Sequence, residues 1–104
     1  MAVTIRTTIR FDRWLRKLPD AVAKRKIAFR LQRLAFGHEG DAKSLGDGLW
    51  ELREHTGPGY RIYYVRRGKD VVVLLAGGTK QSQMRDIEAA RRAALEVKDE
   101  DEGF

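Results

Sequence analysis

Two short stretches hold most of the residues able to do chemistry. Glu51, Arg53 and His55 alternate in the first, and Arg61 and Tyr63 alternate in the second. Side chains of a strand point alternately to its two faces, so each set shares one face. Pairing Leu52 with Ile62 and Trp50 with Tyr64 gathers four apolar side chains on the opposite, core-facing side. The same register sets Arg53 opposite Arg61 and Glu51 opposite Tyr63. A slip of one residue would mix charged and apolar groups on both faces. The connection through Thr56-Gly57-Pro58-Gly59 then belongs to an odd-length loop, which Gly and Pro permit. Like charges facing each other across strands cost up to about 1 kcal/mol. Two opposed arginines are easier to keep with an anion between them, or with a carboxylate such as Glu51 alongside. The face reads as a candidate anion site.

The rest of the chain has to position that hairpin. Val71, Val72, Val73, Leu74 and Leu75 run without a polar break, which predicts a central strand covered on both faces. Gly77-Gly78-Thr79-Lys80-Gln81-Ser82 has the composition of a phosphate loop but lacks the G-x-x-x-x-G-K-[ST] spacing. Ser82 is placed to cap a last helix that buries Met84, Ile87, Ala90 and Ala94. Upstream, Val3–Thr7 alternates and is β-branched, a first strand. Phe11, Trp14, Leu15 and Leu18 follow helical spacing and read as core rather than as a base-stacking platform. Pro19 stops that helix and Asp20 caps the next, whose inner stripe is Ala23, Ile27, Leu31 and Leu34. Gly37 closes it. The two helices are expected to pack as a hairpin on the sheet. The stretch His38–Gly48 reads as a loop. Its His38, Glu39, Asp41 and Asp47 match no metal-ligand spacing, so no metal is expected, and Lys43 is either a phosphate contact or a solvated lysine.

A length of 104 residues with 42% hydrophobic content supports one domain with one core. The expected organisation is a single domain over 1–97 and a disordered acidic tail over 98–104, where Asp99, Glu100, Asp101 and Glu102 face one Lys. No apolar run approaches about 20 residues, so no membrane segment is expected, and Arg6, Arg10 and Arg13 argue against a signal peptide. With no cysteine, nothing ties the chain to an oxidising compartment, and a cytoplasmic location is the default. The net charge is +6, and residues 1–36 hold ten Lys/Arg against Asp12 and Asp20. That imbalance suits an acidic partner, nucleic acid or protein, or simply a solvated basic face.

The order strand, two helices, three strands, helix predicts an α+β fold with a four-stranded, antiparallel-rich sheet. Within that order, Phe11-x-x-Trp14-Leu15-x-x-Leu18, Gly40-Asp41-x-Lys43 and Glu51-Leu52-Arg53 resemble the RelE/ParE toxin superfamily. Gly57-Pro58-Gly59-Tyr60-Arg61-x-Tyr63-Tyr64 and Gly77-Gly78-x-Lys80-x-x-Gln83-x-x-Asp86-Ile87 extend the match over nearly the whole chain. It is most similar to the phage-derived, HigB-like addiction module killer proteins. The resemblance implies a toxin neutralised by a cognate antitoxin, in a toxin–antitoxin hetero-oligomer. It further implies a metal-independent, cofactor-free endoribonuclease that cuts mRNA on the ribosome, the 2′-hydroxyl attacking its own phosphate. A branch of the superfamily instead poisons DNA gyrase without nuclease activity. By position, Arg53, Arg61 and Lys80 match the family's phosphate-binding cations, Glu51 is the leading candidate base, and Lys43, His55, Tyr63 and Gln83 complete the RNA-contacting set. One departure concerns the acid. Family nucleases often carry a His or Tyr in the last helix, whereas this chain has neither after Tyr64. Lys80 could fill that role if Arg53 and Arg61 lower its pKa.

Overall fold

The computed structural model describes residues 2–102, and for 98–102 the backbone alone. Its elements run β1 (Thr4–Thr7), α1 (Ile9–Lys17), α2 (Ala21–Ala35), β2 (Ala42–Gly46), β3 (Leu49–Glu54), β4 (Tyr60–Arg67), β5 (Val71–Thr79) and α3 (Gln83–Glu102). The helix ends are set by their sequence. Thr8 accepts from the Phe11 N–H at 3.1 Å, and Asp20 Oδ1 accepts from the Ala23 N–H at 3.0 Å, each satisfying one of the unpaired donors of a first turn. At the end of α2, the His38 N–H reaches the Arg33 carbonyl and the Gly37 N–H reaches that of Leu34. With Gly37 at φ 87°, this is a Schellman cap.

The strands form one five-stranded sheet in the order β1-β5-β4-β3-β2, mixed only because β1 pairs parallel to β5. The hairpin register is the one the apolar pattern requires: Trp50 pairs with Tyr64, Leu52 with Ile62, Glu51 with Tyr63 and Arg53 with Arg61. The strand count differs from the expected four. Ala42–Gly46, read as loop, is an edge strand antiparallel to β3. The turn that returns it is Asp47-Gly48, with φ 55° and 81°. Positive φ at both central residues is what a two-residue type I′ hairpin needs, and Asp-Gly supplies it.

Two apolar layers sandwich the sheet. On one face Phe11, Ile27 and Leu34 of the α1–α2 hairpin pack on Leu52, Ile62, Tyr64, Val72 and Leu74. On the other, Ile87, Ala90 and Ala94 of α3 cover Leu49, Tyr63, Val65, Val73 and Leu75. The unbroken apolar run of β5 is therefore needed on both sides. Met84 is the exception to the expected α3 stripe: it is 84% exposed. The stripe begins instead with Gln83, one helical face with Ile87, Ala90 and Ala94. The helix α3 is drawn through Glu102, into the 98–104 stretch whose composition suggests a disordered tail; Gly103 and Phe104 lie outside the described residues.

Gly77 and Gly78 serve packing rather than phosphate. A Cβ on Gly77 would stand 2.2 Å from Trp14 Cε3, and one on Gly78 would overlap the Asp86 carboxylate on the opposite face. The indole of Trp14 thus lies against bare backbone, bordered by Phe11 and Tyr60 rings with centroids 5.8 and 6.3 Å away. Gly77→Ala should cost about 1–3 kcal/mol through overpacking. Urea unfolding measures this, and an unchanged midpoint would mean that the indole moves aside freely.

Candidate functional site

The candidate chemistry gathers where β3, β4 and β5 meet the start of α3. Directly paired residues of adjacent strands share a face, so Lys43, Glu51 and Tyr63 form one cross-strand row, and Arg53, Arg61 and Gly78 the next. Glu51 stands at the centre, with no exposed surface. Its Oε1 accepts from Arg53 Nε at 2.9 Å and its Oε2 from Gln83 Nε2 at 2.7 Å. Burial pushes the Glu51 carboxyl up, and the bonds from Arg53 and Gln83 more than reverse this, leaving it below its ordinary value. It is an anion at neutral pH, with both oxygens engaged.

Tyr63 lies beneath α3, fully buried beside Glu51, its hydroxyl without an ordinary hydrogen bond. Burial first, and the neighbouring Glu51 charge second, push its pKa well up, so it stays a neutral phenol. Arg61 is only 6% exposed. Its Nη1 donates to the Gly59 carbonyl at 3.1 Å, and its Nε finds no acceptor among the described residues. The same carbonyl accepts from the Lys80 backbone N–H at 2.8 Å. One oxygen therefore fixes the hairpin loop, Arg61 and the base of Lys80 together. Gly59 sits at φ 77°, and a Cβ there would come 3.0 Å from Arg61 Nη1, so only glycine leaves the guanidinium its place. The Lys80 side chain is exposed, and an open hollow lined by Lys80, Gln83, Met84 and Arg85 continues from it.

The remaining sequence candidates lie at the margin. Lys43 is exposed on the edge strand opposite Glu51. The His55 ring contacts Asp41 Oδ2 at 2.5 Å, and this bond is the main reason the Asp41 carboxyl lies below its ordinary value. Arg30, which charge patterning alone assigns to a basic helix surface, belongs to the site's support. Its Nη1 donates to the Arg53 carbonyl at 2.5 Å, and its Nη2 to the carbonyls of Glu39 and Asp41 at 3.2 Å each. Together with the bond from the Arg53 N–H to the Asp41 carbonyl, it pins the backbone that carries Arg53. Ser82 and Asp86 brace the turn before α3: the Thr79 N–H donates to Ser82 Oγ, which donates to Asp86 Oδ2. Among the described residues no three His, Asp or Glu side chains cluster to hold a metal, and no helix is long and apolar enough to cross a membrane.

Because the folded pKa of Glu51 is depressed, its contribution to stability is complete above about pH 4.5 and is lost as pH falls through the lower folded value. Thermal unfolding from pH 7 to 3 should show the wild-type advantage over Glu51→Gln narrowing only in that acid window. A gap of constant size would mean that the carboxylate charge contributes nothing.

Known proteins share this fold. The model of the family described as phage-derived protein Gp49-like matches residues 13–98. An uncharacterized protein of Haemophilus influenzae is 46% identical over 97 residues, covering 93% of this chain and 98% of the relative. Among solved structures, a mutant of the Escherichia coli toxin RelE in the free state superposes with a TM-score of 0.70 at 22% identity, covering 88% of this chain and 98% of that one. The RelBE2 toxin–antitoxin complex of Mycobacterium tuberculosis gives 0.61 at 25% identity, covering 77% of this chain and 100% of its counterpart. The chain belongs to the family of phage-derived Gp49-like proteins and, with it, to the RelE/ParE toxin superfamily.

Proposed function

We propose that the chain is the toxin half of a toxin–antitoxin pair, of the HigB-like kind. In this reading it acts in the cytoplasm as an mRNA endoribonuclease on ribosome-bound message, and a cognate antitoxin silences it. The observation that carries the reading is the pairing of Arg53 with Arg61 across β3 and β4, beside an anionic Glu51 and near Lys80. Arg61 supports it further, being nearly buried with one guanidinium N–H that meets no acceptor among the described residues. Two opposed guanidiniums suit a phosphodiester, whose charge grows in the transition state.

In the proposed reaction the RNA 2′-oxygen bonds to the adjacent phosphorus while the 5′-oxygen departs with a proton. The products are a 2′,3′-cyclic phosphate and a 5′-hydroxyl. Arg53 and Arg61 hold the non-bridging oxygens. Glu51 holds Arg53 in place, and it takes the 2′-proton once substrate draws Gln83 from its second oxygen. Tyr63 supports Glu51 from below, while Lys43, His55 and Gln83 guide the strand. Lys80 gives the leaving oxygen its proton. Arg61→Ala should lower cleavage about 100-fold or more, with circular dichroism and Arg61→Lys as controls for folding. A parent-like rate would remove this face from the chemistry.

A specific observation keeps a second reading in play. Both Glu51 oxygens are engaged, and the chain has no His or Tyr after Tyr64 to act as acid. In that reading the same cations bind an acidic target such as DNA gyrase, without cleavage. Expression of the chain alone, with 5′-end mapping of cellular mRNA and a parallel supercoiling assay, separates the two. Lys80→Arg keeps the charge but holds its proton too tightly to donate it. It should bind RNA normally and cleave slowly, whereas Lys80→Ala should lose both. Parent-like cleavage by Lys80→Arg would leave Lys80 an electrostatic role only.

A further inference from the structure

The helix α3 packs on β3, β4 and β5, and between it and the edge strand β1 lies a hollow of about 590 Å³. Its floor is Val71 and Val73 of β5, with Ala93 and Val97, about one turn apart on α3, as a wall. Arg6 pairs with Val73 across β1 and β5, so its side chain leaves the sheet on the same face. Arg10 of α1 and Arg67 of β4 also line the hollow, so cations from three elements converge there. Arg67 donates to the Ala94 carbonyl at 3.3 Å. Arg6 and Arg10 are exposed and meet no partner among the described residues. Glu96 is the one carboxylate among the described lining residues. Ile9 lines the hollow too, an apolar side chain 76% exposed that takes no part in either core layer.

We propose that this hollow binds a small amphiphilic anion, a short alkyl body carrying a carboxylate or phosphate head. Its volume lies in the range of small-molecule clefts, which pair an apolar lining with a few polar groups that fix orientation. The valine floor, Ala93, Val97 and Ile9 would take the alkyl body out of water. The guanidiniums of Arg6 and Arg10 would take the head, since their planar forks match both carboxylate and phosphate. Like charges around one hollow repel each other, and a bound anion removes that repulsion. A neutral ligand would leave the cations unanswered. A nucleic-acid strand would answer them but would have no apolar counterpart for the floor and Ile9. The hollow is separate from the Arg61 face, because Arg67 lies six positions along β4 from Arg61, about 20 Å away. The proposal is therefore independent of whether that face cuts RNA.

Isothermal titration calorimetry on the full chain tests this. Octyl phosphate should bind at least about tenfold more tightly than octanol or inorganic phosphate. Octanoate against octyl phosphate identifies the preferred head, and saturable binding of either supports the proposal. Ile9→Ser, and separately Arg6→Gln with Arg10→Gln, should each weaken octyl phosphate about tenfold, while Glu96→Gln should strengthen it. Ala93→Leu, which fills the hollow from its wall, should abolish binding. Thermal unfolding of Ile9→Ser and of the arginine pair should match the parent, since all three side chains are exposed. Equal affinity for octanol would mean an apolar crevice only, and equal affinity for inorganic phosphate a basic surface only; either overturns the proposal. So would parent-like affinity in Ile9→Ser or in the arginine pair. Displacement of a labelled oligouridine by octyl phosphate would move the binding to the Arg61 face and overturn it as well.

Discussion

A carboxylate with no solvent contact must be answered by charge and hydrogen bonds, and Glu51 imposes that demand on the whole site. Arg53 answers from the same strand and Gln83 from the first turn of α3. The demand therefore joins the middle of the sheet to the helix that covers it. Removing either donor would leave a buried charge half satisfied, a larger penalty than the loss of one ordinary hydrogen bond. Arg53 is held in turn from behind, where Arg30 and the Asp41 carbonyl grip its backbone. A single buried anion thus orders groups from α2, β3 and α3.

This arrangement explains how two arginines can face each other across a hairpin. Arg53 turns its Nε to Glu51, so the repulsion across β3 and β4 is reduced. The face is asymmetric nonetheless. Arg61 is nearly buried and fastened to a backbone carbonyl, while Arg53 is partly exposed, although the sequence presents them as a matched pair. A phosphate approaching the face would meet Arg53 first, with Lys80 exposed alongside.

The legible part of the fold was the part written in periodicity. Alternation in β3 and β4 fixed their register, and the apolar run of β5 required cover on both faces, because a one-residue slip exposes every core side chain. The edge strand β2 escaped because only Ala42 and Leu45 of its five residues are apolar, and its best signal was the Asp47-Gly48 turn. Met84 misled because its apolar character fits a helical stripe, while the inward, half-buried position belongs to Gln83, a polar residue with a buried partner. For the site, the spacing brought Glu51, Arg53, Arg61 and Tyr63 to one face. The support from Arg30 and Gly59 was illegible, since it runs from side chain to backbone carbonyl, and sequence patterns carry no trace of which carbonyls are within reach.

The Gly59 carbonyl has a mechanical meaning beyond its two hydrogen bonds. Because it takes both the Arg61 guanidinium and the Lys80 backbone N–H, the two cations do not have independent degrees of freedom at their anchors. They ride on one atom of one loop. A change at that one peptide is felt by both at once, whereas Arg53 is fastened to α2 instead. The face is in this sense held by two separate fastenings, one a helix side chain and the other a single peptide bond.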